Sequence, residues 1–153
     1  MVKEMARAPF QVLVFPYRKS GCGFEFALLK RSDAGYWQAV AGGGESDEKP
    51  IEAARRETYE ETGLSRDLQF IQLITVLPIP ATEFRDRHLW GKDVLLIPQY
   101  CFGVLVQNEQ IVLSREHTNY RWLSFEEACR VMEYDGNRIA LWELNERLKT
   151  CSS

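Results

Sequence analysis

Three glutamates carry the densest chemistry in this chain. Glu57, Glu60 and Glu61 stand at i, i+3 and i+4, a spacing that puts all three carboxylates on one face of a helix. Glu48 can reach the same end. Two carboxylates about 5 Å apart repel by roughly 3 kcal/mol at an effective dielectric of ~20. A hard divalent cation reverses the sign of that term. All-oxygen ligation suits Mg²⁺ or Mn²⁺ rather than zinc. Just upstream, Gly42, Gly43 and Gly44 predict a loop free of Cβ atoms, whose backbone N–H groups can turn towards an anion. Carboxylates that need a cation, beside such a loop, suit a polyphosphate: the cation neutralises phosphate oxygens and orients a water for in-line attack.

Several elements must position these groups. Pro50 suits a first helical turn and Gly63 a left-handed closing residue, which predicts a helix over 50–62. Lys49 caps it poorly. Arg56 has Glu52 and Glu60 at i−4 and i+4 and reads as a scaffold ion-pair partner. Upstream, Phe10–Tyr17 and Phe24–Lys30 read as strands of a hairpin, and Tyr36–Val40 leads into the glycines. Downstream, 68–77 reads as a strand broken by Pro78 and Pro80, and 81–92 as a loop at the mouth of a site. The region 95–106 reads as a strand with Pro98 at an edge or bulge, and 120–123 as a short strand. Ser124 with Glu127 forms a capping box that opens a helix to about Met132. Asp135-Gly136 predicts a turn, and 137–149 an amphipathic helix using Ile139, Leu141, Trp142, Leu144 and Leu148. This order is not an alternating βαβ chain. It predicts an α+β fold with helices packed on a mixed sheet.

The 153 residues suit one domain, 1–153. Apolar content of 45% and charged content of 27% are ordinary for a globular protein. The net charge of −3, with no basic block, argues against a nucleic-acid polymer as partner. No long apolar run or signal peptide stands out, which predicts a cytoplasmic protein without a membrane partner. Cys22, Cys101, Cys129 and Cys151 lack paired metal spacing and read as free, mostly buried thiols. His88 and His117 also lack metal spacing and read as surface or structural residues.

The stretch from Gly42 to Leu64, GGGESDEKPIEAARRETYEETGL, resembles the Nudix box of the Nudix hydrolases. Every charged and glycine position agrees, and Thr58 stands where a bulky aliphatic residue is usual. The resemblance implies an α/β/α sandwich and cleavage of a pyrophosphate bond in a nucleoside diphosphate linked to another group. It implies Glu57, Glu60 and Glu61 as catalytic metal ligands. One box glutamate, not specified by the sequence, could instead be the base that deprotonates water. The carbonyl of Ala41 or Gly42 is a further candidate ligand.

Three outer segments, WQAVAGG (37–43), SREHTNYRWL (114–123) and GNRIALWEL (136–144), resemble the bacterial dihydroneopterin triphosphate pyrophosphatases. That likeness implies a small pterin or nucleotide triphosphate as substrate and release of pyrophosphate. It implies Glu116 as a metal-site member, and Arg7 with Lys30 or Arg31 as phosphate contacts, beside Gly42 and Gly43. Tyr36, Phe84 and Trp90 are either stacking partners for a flat ring or covers of the core edge. Trp37 reads as core. A dinucleoside polyphosphate or an ordinary or oxidised dNTP is the alternative substrate, and a non-catalytic nucleotide sensor the remote one. A monomer and a homodimer are equally compatible.

Overall fold

The computed structural model describes residues 6–151. Its strands are β1 (Arg7–Ser20), β2 (Gly23–Arg31), β3 (Trp37–Gln38), β4 (Val40–Glu45), β5 (Phe70–Pro80), β6 (Leu96–Leu105) and β7 (His117–Leu123). The helices are α1 (Pro50–Thr62), α2 (Phe125–Val131) and α3 (Asp135–Cys151), with two short 3₁₀ turns at Ala81–Glu83 and Arg85–Leu89. Strand β1 is the organising element. It runs antiparallel to β2 and β4 and parallel to β6, so the sheet is mixed. Strand β7 pairs with β2, and β5 with β6.

Side-chain alternation divides the core between the two sheet faces. Val12 and Val14 of β1, Leu29 of β2 and Phe102 and Val104 of β6 pack with Ala53 and Ala54 of α1. Their neighbours Leu13, Phe15, Leu28 and Cys101 point the other way, onto Ala128 of α2 and Leu141, Leu144 and Leu148 of α3. Helix α1 covers one face and α2 with α3 the other, the α/β/α layering expected. Among the described residues no helix is long and apolar enough to cross a membrane.

Helix α1 keeps its expected limits. Gly63 closes it at φ 72°, its N–H bonded to the Tyr59 carbonyl. Glu52 does not pair with Arg56; its carboxylate accepts the Lys49 N–H at 2.8 Å and caps the helix start. Thr58 is fully buried and its hydroxyl has no hydrogen-bond partner among the described residues.

Four expectations need correction. The glycines form strand, not loop: Gly42 and Gly43 pair with Val12 and Gln11 of β1. Strand β5 continues through Pro78 and Pro80, because Pro78 faces Pro98 and neither position needs an N–H there. Asp135-Gly136 lies inside the first turn of α3. Ile139 and Trp142 lie on the exposed side of α3, while Leu141, Leu144 and Leu148 are buried. Strand β5 also carries a register shift between Gln72 and Val76. Glu143 of α3 satisfies it, accepting the Ile74 and Thr75 N–H groups at 2.7 and 2.8 Å and the Thr75 hydroxyl. Burial opposes ionisation of Glu143, but these hydrogen bonds hold its carboxyl down at about 2. Cys22 is exposed, Cys101 buried and Cys129 half-buried, all free; the side chain of Cys151 lies outside the described residues.

Candidate active site

The three glycines of β4 are each the floor of a close approach. A Cβ on Gly42 would lie 2.1 Å from the Glu57 carboxylate carbon. One on Gly43 would lie 1.7 Å from Arg7 Nε, and one on Gly44 2.0 Å from the Phe10 ring. None of the three has a positive φ. Their role is therefore proximity, not backbone conformation. An acid and a base from separate elements rest on adjacent bare Cα atoms.

Arg56 ties strand to helix. It donates to the Gly43 carbonyl at 2.8 Å, to Glu48 at 2.8 and 3.0 Å, to Glu57 at 3.0 Å and to Glu60 at 3.1 Å. Glu48, through its hydrogen bond, is the main reason the guanidinium is held charged. Glu48 also accepts the Glu45 N–H at 2.9 Å, closing the turn between β4 and α1. The box carboxylates thus differ in surroundings. Glu60 is half exposed and turned to Arg56. Glu57 is mostly buried between Arg56 and Gly42.

Glu61 is only 2% exposed, and neither of its oxygens accepts a hydrogen bond from a donor among the described residues. Its neighbours are acids. Burial first, then the charges of Glu57 and Glu116, push its carboxyl far above the ordinary 4.5. Burial likewise raises Glu57, against the pull of Arg56. A direct Glu57–Glu61 hydrogen bond exists only while the two share a proton. Without a cation the pair keeps a proton at neutral pH, since Arg56 compensates Glu57 but no donor among the described residues reaches Glu61.

Glu116 and His117 complete the cluster. One donor atom each from Glu61, Glu116 and His117 lie within 4.8 Å of one another. His117 is 5% exposed, its Nε2 stands 3.5 Å from Glu61 Oε1, and neither ring nitrogen has a hydrogen-bond partner among the described residues. Burial, then Arg31, keeps the imidazole neutral by lowering its pKa. His117 is therefore no surface residue. Strand alternation would send Glu116 and His117 to opposite faces. The turn bonding His117 N–H to the Ser114 carbonyl, and a register shift opposite Lys30 and Arg31, bring both to one place. A histidine directly after the acidic Glu116 was the one sequence sign.

The expected basic residues separate. Arg7 lies across Gly43, with its Cζ 5.3 Å from the Phe84 ring centroid and its Nη2 donating to Gln11 at 2.6 Å. Trp90 packs edge-on against Phe84 and donates its indole N–H to the Arg7 carbonyl at 2.9 Å. Phe84 and Trp90 thus hold Arg7. Arg31 makes a two-bond pair with Asp33 at 2.8 Å and faces Glu116 electrostatically. Lys30 lies between Trp37 and Asn119 in the ladder. Tyr36 packs edge-on against Tyr134. Trp37 is partly buried against the core, and His88 is exposed, its ring bonded to the Arg85 carbonyl. Ala41 pairs with Leu13, one residue before the Gly42 that carries Glu57.

Known proteins share this arrangement of sequence and fold. A rat bis(5'-nucleosyl)-tetraphosphatase (asymmetrical) is 32% identical over 84% of this chain and 82% of its own length. The structure of a Listeria monocytogenes protein described as a NUDIX hydrolase matches with a TM-score of 0.84 and 42% identity, covering 94% of this chain and 97% of that one. The structure of the E. coli dihydroneopterin triphosphate pyrophosphohydrolase matches with a TM-score of 0.75 and 25% identity, covering 94% and 99%. The NUDIX domain model spans residues 9–143, from the strand beneath the glycines to the helix that braces β5. The chain belongs to the Nudix hydrolase family.

Proposed function

We propose that residues 1–153 form one catalytic domain that hydrolyses a P–O–P bond of a small triphosphate, a pterin or nucleotide, with Mg²⁺, releasing pyrophosphate. The observation that carries this reading is the Glu61 carboxylate, buried without a donor and faced by other acids. Such a group needs either a proton or a cation. The residues present fit a divalent cation. Glu57, Glu61 and Glu116 supply carboxylate oxygens, Glu60 stands at the rim, and the Ala41 carbonyl lies on the same strand end. When bound, the cation supplies charge neutralisation at the phosphate oxygens and lowers the pKa of a ligating water. Mn²⁺ can substitute for Mg²⁺.

The chain's own residues do the rest. Water attacks phosphorus; a new P–O bond forms, the bond to the bridging oxygen breaks, and a box glutamate accepts the water proton. Glu57 is the proposed acceptor, because the Arg56 guanidinium 3.0 Å away favours its carboxylate form against the burial that raises it. The departing pyrophosphate carries negative charge, which Arg7 meets through its remaining N–H groups. Arg31, which faces Glu116 electrostatically, must exchange part of its Asp33 pair for a phosphate contact, with Lys30 beside it on β2. Tyr36, edge-on against Tyr134, is the ring proposed to flank a flat base or pterin, and Phe84 serves by holding Arg7. This chemistry belongs where nucleotides are made, in the cytoplasm.

A second reading keeps the mechanism and changes the substrate to a dinucleoside polyphosphate. Its support is the higher identity to the rat tetraphosphatase than to the E. coli triphosphate pyrophosphohydrolase. Product analysis separates the two. Purified protein with Mg²⁺ is offered dihydroneopterin triphosphate, the dNTPs and diadenosine tetraphosphate. Fastest pyrophosphate release from the pterin or a dNTP is the expected result. Fastest formation of ATP and AMP from diadenosine tetraphosphate would replace it with the second reading. Tight nucleotide binding without turnover would make the protein a sensor and refute both.

A further inference from the structure

We infer that His117 supplies a ring nitrogen to the cation site, so that the donor set is mixed oxygen and nitrogen and favours Mn²⁺ over Mg²⁺. The inference rests on the hydrolase reading and adds to it a ligand that the box does not contain. Three observations carry it. The imidazole is almost wholly buried, yet neither ring nitrogen has a partner among the described residues. Its Nε2 is aimed at Glu61 Oε1, 3.5 Å away, a separation too long for a good hydrogen bond. Both groups belong to the cluster, with Glu116, whose donor atoms lie within 4.8 Å of one another. Two adjacent buried groups left unpartnered are costly separately. A cation between them satisfies both.

The local backbone supports this role. His117 opens β7 opposite Arg31, where the β2–β7 register shifts. Such irregularities re-aim side chains beside active sites. The consequence is a change of metal preference. Mg²⁺ dehydrates reluctantly and takes oxygen ligands, whereas imidazole suits first-row transition ions. Mn²⁺ accepts both donor types.

The test is pulsed EPR of Mn²⁺ bound to tag-free full-length protein, grown once with natural-abundance histidine and once with ¹⁵N-histidine. The sequence has two histidines, and His88 is exposed and outside the cluster. The expected result is an electron spin-echo modulation from a directly bound ¹⁴N nucleus that changes to the ¹⁵N pattern on labelling. The wild-type spectra need no variant and so do not depend on whether one folds. His117→Gln should abolish the modulation. It should also cut the Mn²⁺-over-Mg²⁺ binding preference by at least about 10-fold, the low end of what losing even an outer-shell partner costs. Mn²⁺ bound at the carboxylates without nitrogen modulation overturns the inference and leaves the hydrolase reading standing. Absence of Mn²⁺ binding overturns both. Unchanged modulation in His117→Gln assigns the nitrogen elsewhere and also overturns it.

Discussion

Replacing Gly43 by Ala is the substitution whose outcome the geometry defines most sharply. The added Cβ would sit 1.7 Å from Arg7 Nε and 1.9 Å from its Cζ. Ordinary contact begins at 3.4 Å, so the guanidinium must withdraw by about 1.7 Å. Arg7 is flexible and β4 is held in a ladder, so the side chain gives way and the strand stays. The retreat loses the Phe84 face and the Gln11 hydrogen bond, together about 1–2 kcal/mol of stability. The larger effect falls on the substrate. One charge-assisted phosphate contact contributes about 1.5–3 kcal/mol, which is roughly 10- to 150-fold in kcat/KM. Pyrophosphate release should show that loss in Gly43→Ala and in Arg7→Ala alike. The double variant should be no worse than either, since both act through one guanidinium. Mg²⁺ affinity should hold in Gly43→Ala. It should fall in Gly42→Ala, whose Cβ would meet the Glu57 carboxylate instead. A Gly43→Ala enzyme with wild-type kcat/KM beside a crippled Arg7→Ala would refute the reasoning, as would additive losses.

Other consequences can be checked by thermal melts. Burial first, then neighbouring acids (Glu60 on Glu57, Glu57 and Glu116 on Glu61), raise the two carboxyls above 4.5 in the folded chain. A group raised on folding contributes its stability below the unfolded value and loses it as pH climbs through the folded one. Metal-free protein in EDTA should therefore lose Tm as pH rises above about 5, and the Tm gained on adding Mg²⁺ should grow with pH; a Mg²⁺ gain independent of pH would contradict this. Thr58→Val removes a fully buried hydroxyl without a partner and should raise stability by about 1 kcal/mol in urea melts, with any loss counting against that assignment. Glu143→Ala strips the acceptor from two β5 N–H groups and should cost about 1–3 kcal/mol. The acid limb of stability, where protonation of Glu143 through about 2 breaks the same bonds, should flatten in that variant.

Much of this was legible in the chain itself, and the reasons are particular. Pro50 and Gly63 bound α1 because each satisfies a terminal constraint of a helix, and Ser124 with Glu127 opens α2 for the same reason. The strands β1 and β2 announce themselves through unbroken apolar runs. Gly42–Gly44 do not, because strand periodicity is read from side chains and these residues have none. Pro78 and Pro80 mislead because a proline ends a strand only where its missing N–H would have been used. Arg56 was read by helix spacing, yet Glu48, outside the helix, is its nearest acid. The burial of His117 and the clasp of Phe84 and Trp90 on Arg7 depend on contacts between residues far apart in sequence, which no local pattern encodes.

On the reading proposed above, the buried Glu61 carboxylate holds a catalytic cation. The most direct measurement pairs Mg²⁺-dependent pyrophosphate release with Mg²⁺-free thermal stability in wild type and Glu61→Gln. The variant replaces a repelled acid by a neutral isostere. Turnover should fall by at least about 100-fold, the scale of losing one preorganised electrostatic group, while the metal-free Tm at pH 8 rises. Near-normal turnover in Glu61→Gln, with a lowered Tm, would contradict that reading.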